Sequence, residues 1–276
     1  MNERFPCRLS DVFGDAFSIF RRNFKVIFLI VLLIMLPVVA VQVFFVNPGF
    51  ESRGIIESLS ELMAKETLDE SETEMVSQLG NRMLIYYGIS AFLGSFFLIC
   101  RAAAVFIVKR ETGFVSEKDP YGDFNSLLEG SFKIFPKLWL TQFIVVFMVL
   151  FGFMLCFIPG LLMFYLYQFT SFAVVFTGTW GRKSTFISGI AVKKYPVPAL
   201  ISALLYLGIV QLCVPLLFTG LGLLAALAGT GTIIYKFLML LIGIGEYIVI
   251  IYFEMCMAVA FSRMYPEIEE VVRGWQ

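Results

Sequence analysis

Long apolar runs separated by polar stretches dominate this chain. Each reaches the roughly 20 helical residues needed to cross a hydrocarbon layer about 30 Å thick. Six are present, at about 26–46, 83–108, 138–158, 161–180, 198–218 and 233–262. The first is interrupted only by Pro37 and Gln42, and the second carries a single charge, Arg101. Pro159-Gly160, a tight-turn dipeptide, divides the third from the fourth, and Gly229-Thr-Gly-Thr232 joins the fifth to the sixth. The first run is too long for a cleavable signal, lacks a small-residue cleavage site and is followed by further spans.

Before each odd-numbered run lies a shorter segment of mixed character, at about 10–22, 124–136 and 184–195. Phe13, Phe17 and Phe20 fall at i, i+4 and i+7, as do Leu128, Phe132 and Phe135, which is one face of a helix. Basic residues close each segment: Arg21-Arg22, then Lys137 after Pro136, then Lys193-Lys194. A short aromatic and basic helix of this kind lies in the headgroup plane instead of crossing. Ser10 and Ser184 are the expected N-caps. The predicted fold is therefore an all-α integral membrane protein, a single domain over 1–276. Its six transmembrane helices form three units, each an in-plane amphipathic helix plus a transmembrane hairpin.

Charge sets the direction of insertion. Sixteen Lys and Arg residues fall on the side of the two termini, against three (Arg53, Lys65, Arg82) on the other. The positive-inside rule then predicts cytoplasmic amino and carboxyl termini and an external connection 47–81, in the cell inner membrane. That connection holds eight acids, from Glu51 to Glu74. Ile55, Ile56, Leu59, Leu62 and Met63 have the spacing of an amphipathic helix, and Ser71-Glu-Thr-Glu74 reads as a capping box leading a second helix into span two. It is expected either to fold back on the membrane as a solvated acidic loop or to dock a partner.

Composition agrees: 59% of residues are hydrophobic, 15% are charged, and the mean hydropathy is +0.86. Soluble domains average about 45–50% apolar and about 25% charged residues. A net charge of zero gives no reason to expect nucleic acid as a partner. Histidine is absent, and the five cysteines are scattered without a CxxC pair, so neither a metal site nor a cofactor is expected. Without a nucleophile beside a base, the chain is expected to have no catalytic residues and not to be an enzyme.

Three motifs carry a resemblance. Ser131-Phe-Lys-Ile-Phe-Pro-Lys-Leu138, Phe157-Ile-Pro-Gly-Leu-Leu162 and the opening Asp15-Ala-Phe-Ser-Ile-Phe-Arg-Arg-Asn-Phe24 stand in order along the chain. Together they resemble six-span bacterial inner-membrane proteins of the YciC type, and the membrane domain fused to some glycerophosphodiester phosphodiesterases. The likeness runs over most of residues 10–265 and departs at the long acidic connection. The phosphodiesterase itself has no counterpart here. The family has no settled activity, so the resemblance implies the architecture more than any function.

Charges inside a span are expensive, about 2.5–3.5 kcal/mol on insertion scales, and each calls for a partner or a function. Arg101 stands eight residues from Lys109, about 12 Å, and Glu254 nine from Arg263, about 13.5 Å. Being at one level, they are expected to pair. The pair would be either a clasp between helices two and six or the lining of a cytoplasm-facing cavity; alternatively Arg101 snorkels to the interface. Glu246, about 15 Å from Lys236, has no basic residue at its depth. It would be hydrogen-bonded glue to Gln168 or Gln211, or a proton-binding carboxylate of a transporter.

The leading functional expectation is a non-enzymatic membrane protein of envelope or lipid homeostasis. It would bind anionic phospholipid, or a second membrane protein, through Arg21, Arg22, Lys25, Lys133, Lys137, Arg182, Lys183, Lys193 and Lys194. The alternative is a small-molecule or lipid transporter using Glu246 and the Arg101–Glu254 pair.

Overall fold

A computed structural model describes residues 9–46, 70–114, 123–227, 229 and 232–273. Helix α1 spans Leu9–Val41 and closes in a π turn, Gln42–Val46; α2 is Glu70–Ser95, α3 Phe97–Glu111, α4 Phe124–Leu155 and α5 Phe157–Tyr167. Then follow α6 (Thr170–Thr177), α7 (Arg182–Lys194), α8 (Pro196–Leu205) with a π segment Tyr206–Cys213, α9 (Val214–Ala226) and α10 (Ile233–Arg273). No strand occurs among the described residues. Six helical stretches are long and apolar enough to cross a membrane: Ser10–Val46, Thr73–Glu111, Phe124–Leu155, Phe157–Thr177, Pro196–Ala226 and Ile233–Val271. The protein is thus an all-helical, multi-pass membrane protein.

Helix α3 is the axis of the bundle. From Leu98 to Lys109 every residue but Arg101 is buried, so the helix has no outward face. It packs against α1, α4, α6 and α10. Ala102-Ala103-Ala104 removes the bulk that would hold those neighbours apart, which in lipid is a principal source of helix association. Beside it an aromatic cluster joins α6 to α10: the Phe261 ring lies 5.7, 6.3 and 5.3 Å from Phe169, Phe172 and Phe176. Large side chains on α4 (Phe143, Phe147, Phe151) and α9 (Leu216, Leu223, Leu224) point outward, as surfaces bathed in hydrocarbon do.

Two of the three segments expected to lie in plane differ from that expectation. Residues 10–22 and 124–136 are not separate helices; they run unbroken into their spans within α1 and α4. Nothing between Phe20 and Val26 breaks a helix, and Pro136 is carried inside α4, where Phe135 stacks on Phe96 at 5.9 Å. Only the third segment, α7, is set apart, by Tyr195 (φ −126°, ψ 62°) before Pro196. A residue preceding proline is driven from the helical region by the proline ring.

The buried stripes also lie one residue away from the aromatic face. Val12, Ala16 and Ile19 are buried in α1, Leu127, Ser131 and Ile134 in α4, and Ser184, Ser188 and Ala191 in α7. All three triplets have spacing i, i+4, i+7, with a fully buried small residue at the centre. Phe17 and Phe132 are exposed. Neither expected serine is an N-cap. Ser10 lies inside α1 and donates to Asp11, whereas Ser184 lies inside α7 and donates back to the Gly181 carbonyl at 2.8 Å. The cap seen is Asp123, whose Oδ1 accepts from the Ser126 amide at 3.1 Å.

Spans three and four do not turn at Pro159-Gly160. The reversal takes one residue, Cys156 (φ −173°, ψ 156°), and Pro159 sits in the first turn of α5, where a missing N–H leaves no intrahelical bond unmade. Gly160 allows the hairpin to close: a β-carbon there would stand 2.4 Å from the Phe153 ring. Span four is broken again at Gln168-Phe169, and the Ser188 hydroxyl bridges the break, donating to the Leu166 carbonyl (2.8 Å) and accepting from the Phe169 amide (3.2 Å). Spans five and six exceed their expected ends, α10 running 41 residues to Arg273. The π segment of span five ends just before Pro215, whose ring would crowd the Gln211 carbonyl in a regular α-helix. In the connection 47–81, residues 47–69 lie outside the described residues. Helix α2 begins at Glu70, so Ser71 of the expected capping box is already helical.

Two outcomes are expected. Gly160→Ala will destabilise the protein by about 1–3 kcal/mol through overpacking, and Phe153→Ala in the same chain will restore most of it, as read by equilibrium unfolding in mixed micelles. The Ser126 hydroxyl and amide hold the Asp123 carboxyl below the usual carboxylate range. The cap is then fully present above about pH 3.9, the unfolded value, and lost as pH falls through the lower folded one. Hydrogen exchange at the first turn of α4 will show protection unchanged from pH 7 to 5. Asp123→Ala will abolish that protection at every pH, and Asp123→Asn will keep it.

Candidate functional site

Arg101 enters the bundle from α3, one residue before the alanine run, and meets Glu254 of α10 in a fork. Its Nε donates to Glu254 Oε2 and its Nη2 to Oε1, each at 2.7 Å. Two parallel charge-assisted hydrogen bonds are what a planar guanidinium offers and a lysine cannot. The side chains are 11% and 1% exposed. Further side chains meet both ions. Tyr206 OH, from the π segment of span five, donates to Glu254 Oε1 at 3.0 Å. Arg101 Nη1 donates to Ser171 Oγ at 3.2 Å, and that hydroxyl donates onward to Gln142 Oε1 at 2.9 Å. The Phe172 ring faces the guanidinium carbon at 5.4 Å. One ion pair therefore gathers side chains from spans two, three, four, five and six.

Tyr206, Ser171 and Gln142 were not singled out by the sequence reading. Gln142 and Tyr206 carry the signal that marked Arg101, a polar group inside an apolar run, but a neutral group at unknown helix rotation does not name its partner.

The structure does not join Glu246 to either glutamine. Span four kinks after Tyr167 and turns Gln168 toward α8, where its Nε2 donates to the Ala199 carbonyl at 2.9 Å; its Oε1 is buried and has no partner among the described residues. Gln211 is exposed on the π segment. Glu246 is half-buried on α10 and makes no hydrogen bond among the described residues. Its helix comes close to α1 at Gly243, where a β-carbon would stand 2.8 Å from Val39 Cγ1.

All nine basic residues of the headgroup set are exposed, and contacts place them at one end of the bundle. Arg22 of α1 reaches Glu111 at the end of α3 (3.2 Å), Asp15 of α1 pairs with Arg263 of α10, and Lys194 of α7 pairs with Glu267 of α10 (2.9 Å). Lys137 of α4 donates to the Gly178 carbonyl after α6 at 3.3 Å, and Lys133 pairs with Glu129 one turn away. Arg22, Lys137 and Lys194 each stand ten residues after the first position of their buried triplet, and each ties its helix to a neighbouring element. Arg21, Lys25, Arg182, Lys183 and Lys193 have no acidic partner among the described residues.

Arg182, Lys183 and Lys193 also edge the larger of two cavities described here, of about 890 Å³, between α4, α5 and α7. The other, about 60 Å³, is apolar and lies between α1, α8 and α10, with Tyr206 on its wall. Glu246 lines neither.

The fold and site define a six-span helical membrane protein with a buried ion pair held by side chains from five spans and a cationic rim at one end. Compared with family models, curated proteins and solved structures, the chain matches none.

Removing one ion leaves the other buried and alone, which costs about 3–5 kcal/mol in buried pairs generally. Glu254→Gln and Arg101→Met are each expected to destabilise by that order in mixed-micelle unfolding. Arg101→Met with Glu254→Met will recover most of the loss. Tyr206→Phe, which removes one hydrogen bond to a charged acceptor, is expected to cost about 1.5–3 kcal/mol.

Proposed function

We propose that this protein is a non-enzymatic lipid-binding component of the cell inner membrane, acting in envelope or lipid homeostasis by holding anionic phospholipid at the rim where its termini emerge. That rim faces the cytoplasm on the argument of the sixteen-to-three distribution of basic residues. The single observation carrying the reading is the split among the nine rim cations. Arg22, Lys137 and Lys194 bind protein at the seams between helices, Lys133 pairs within its own helix, and five project without an acidic partner among the described residues. A lysine or arginine at an anionic membrane surface contributes about 1 kcal/mol of attraction, so the five together favour anionic over zwitterionic lipid strongly. The common burial register of α1, α4 and α7 supports their descent from one repeated unit that presents basic residues at the same height three times.

The transporter reading is less well supported. Each nitrogen of the Arg101 guanidinium and each oxygen of the Glu254 carboxylate has a side-chain partner, so moving an ion or substrate through the fork would first require breaking the bundle's main polar junction. The geometry favours a clasp that fixes how the helices meet.

Native mass spectrometry of protein released from nanodiscs tests the reading. Phosphatidylglycerol should be retained in preference to phosphatidylcholine. Changing Arg21, Lys25, Arg182, Lys183 and Lys193 together to Gln should reduce that retention at least tenfold while leaving the unfolding midpoint unchanged. Equal retention of the two lipids by the wild-type protein would end the proposal.

A further inference from the structure

We infer that the cavity between α4, α5 and α7 is a binding site for one anionic phospholipid, its phosphate held by Arg182, Lys183 and Lys193 and an acyl chain lying along the apolar wall. The inference rests on the proposed anionic-lipid function and gives it a place. At about 890 Å³ the space stands near the upper end of the range for ligand pockets, about 300–1,000 Å³. Its chemistry is divided as an amphiphile requires. Ile144 and Met148 of α4 and Leu166 of α5 make the apolar side. Helix α7 contributes a stripe, Arg182 and Lys183, Phe186, Gly189 and Ile190, then Lys193, at the spacing of one helical face.

A second observation concerns the start of α7. The positive end of a helix favours acids, yet α7 opens on Arg182-Lys183, has no acid in its first turn, and its Gly181 cap provides no side-chain acceptor. Two cations therefore meet the helix's own positive pole, and no described residue offers an acid to any of the three cations of this cavity. A phosphate would relieve all of these at once, accepting from the side chains and from the uncapped amides. Gly189 keeps the floor open: a β-carbon added there would meet nothing within 4 Å, and its backbone does not have positive φ.

The test is native mass spectrometry with palmitoyl-oleoyl phosphatidylglycerol as the probe, raising collision energy until loosely held lipid is stripped. The wild-type protein should keep a single lipid. Arg182→Gln with Lys183→Gln and Lys193→Gln should lose it at least tenfold. Gly189→Trp should lose it equally with charge unchanged, whereas Gly189→Ala should retain it. Arg21→Gln with Lys25→Gln, on the same rim but outside the cavity, should keep the tightly held lipid. If the triple and Gly189→Trp variants hold that lipid as the wild type does while the five-residue variant loses anionic lipid, the cavity assignment is overturned and the rim function stands. If the wild-type protein keeps no phosphatidylglycerol, both fall. Displacement of the lipid by soluble glycerol phosphate at equal concentration would show a headgroup-only site and also overturn the inference.

Discussion

An ion in hydrocarbon has two ways to remain: reach water, or find its opposite. Arg101 and Glu254 take the second, and the rest of the bundle is arranged around that choice. Between helices in lipid, apolar side chains gain little by meeting one another instead of acyl chains, so directional contacts and close packing decide how helices assemble. The fork supplies the direction. Its two parallel hydrogen bonds fix the rotation of α3 and α10, and the bonds from Tyr206 and to Ser171 fix where spans five and four stand against them. The alanine run beside Arg101 supplies the closeness. A buried pair of this kind adds little net stability over a well-packed apolar alternative. Its contribution here is one geometry in place of several.

The same economy of polar groups explains the breaks in the helices. Span four loses its regular hydrogen bonding at Gln168-Phe169, and the freed amide and carbonyl are met by Ser188 from α7. Span five widens into a π segment ahead of Pro215, and Tyr206, which meets Glu254, begins that segment. Irregular backbone at membrane depth persists only where protein groups satisfy it. In span four the partner comes from α7, which edges the larger cavity, and in span five the irregular segment carries the tyrosine of the clasp, so the irregular sites lie beside the candidate functional ones.

Rim and clasp stand in contrast. In the clasp each guanidinium nitrogen and each carboxylate oxygen has a side-chain partner, which holds the pair in one geometry. At the rim, Arg22, Lys137 and Lys194 are matched and hold the helices together, while Arg182, Lys183 and Lys193 stand at the edge of an amphiphile-sized cavity. A protein whose central ion pair is held by its own side chains and whose end charges are open is suited to holding an external anion without rearranging its core.

Much of this was legible in one dimension. Span number and helical class follow from the length of the apolar runs, because the hydrocarbon layer sets that length. Arg101 and Glu254 could be matched by depth, because flanking charges mark the membrane's edges and helical rise converts residue number into distance. Four outcomes depend on helix rotation and on neighbours distant in sequence, and these tertiary packing decided. It buried the Val12–Ala16–Ile19 stripe more fully than the adjacent phenylalanines, of which Phe17 is exposed, carried Pro136 through α4, and moved the span three–four reversal to Cys156. It also turned Gln168 away from Glu246. Whether a polar side chain within a span faces a partner, a cavity or lipid depends on an angle of rotation that sequence alone does not record, and only the assembled bundle sets it.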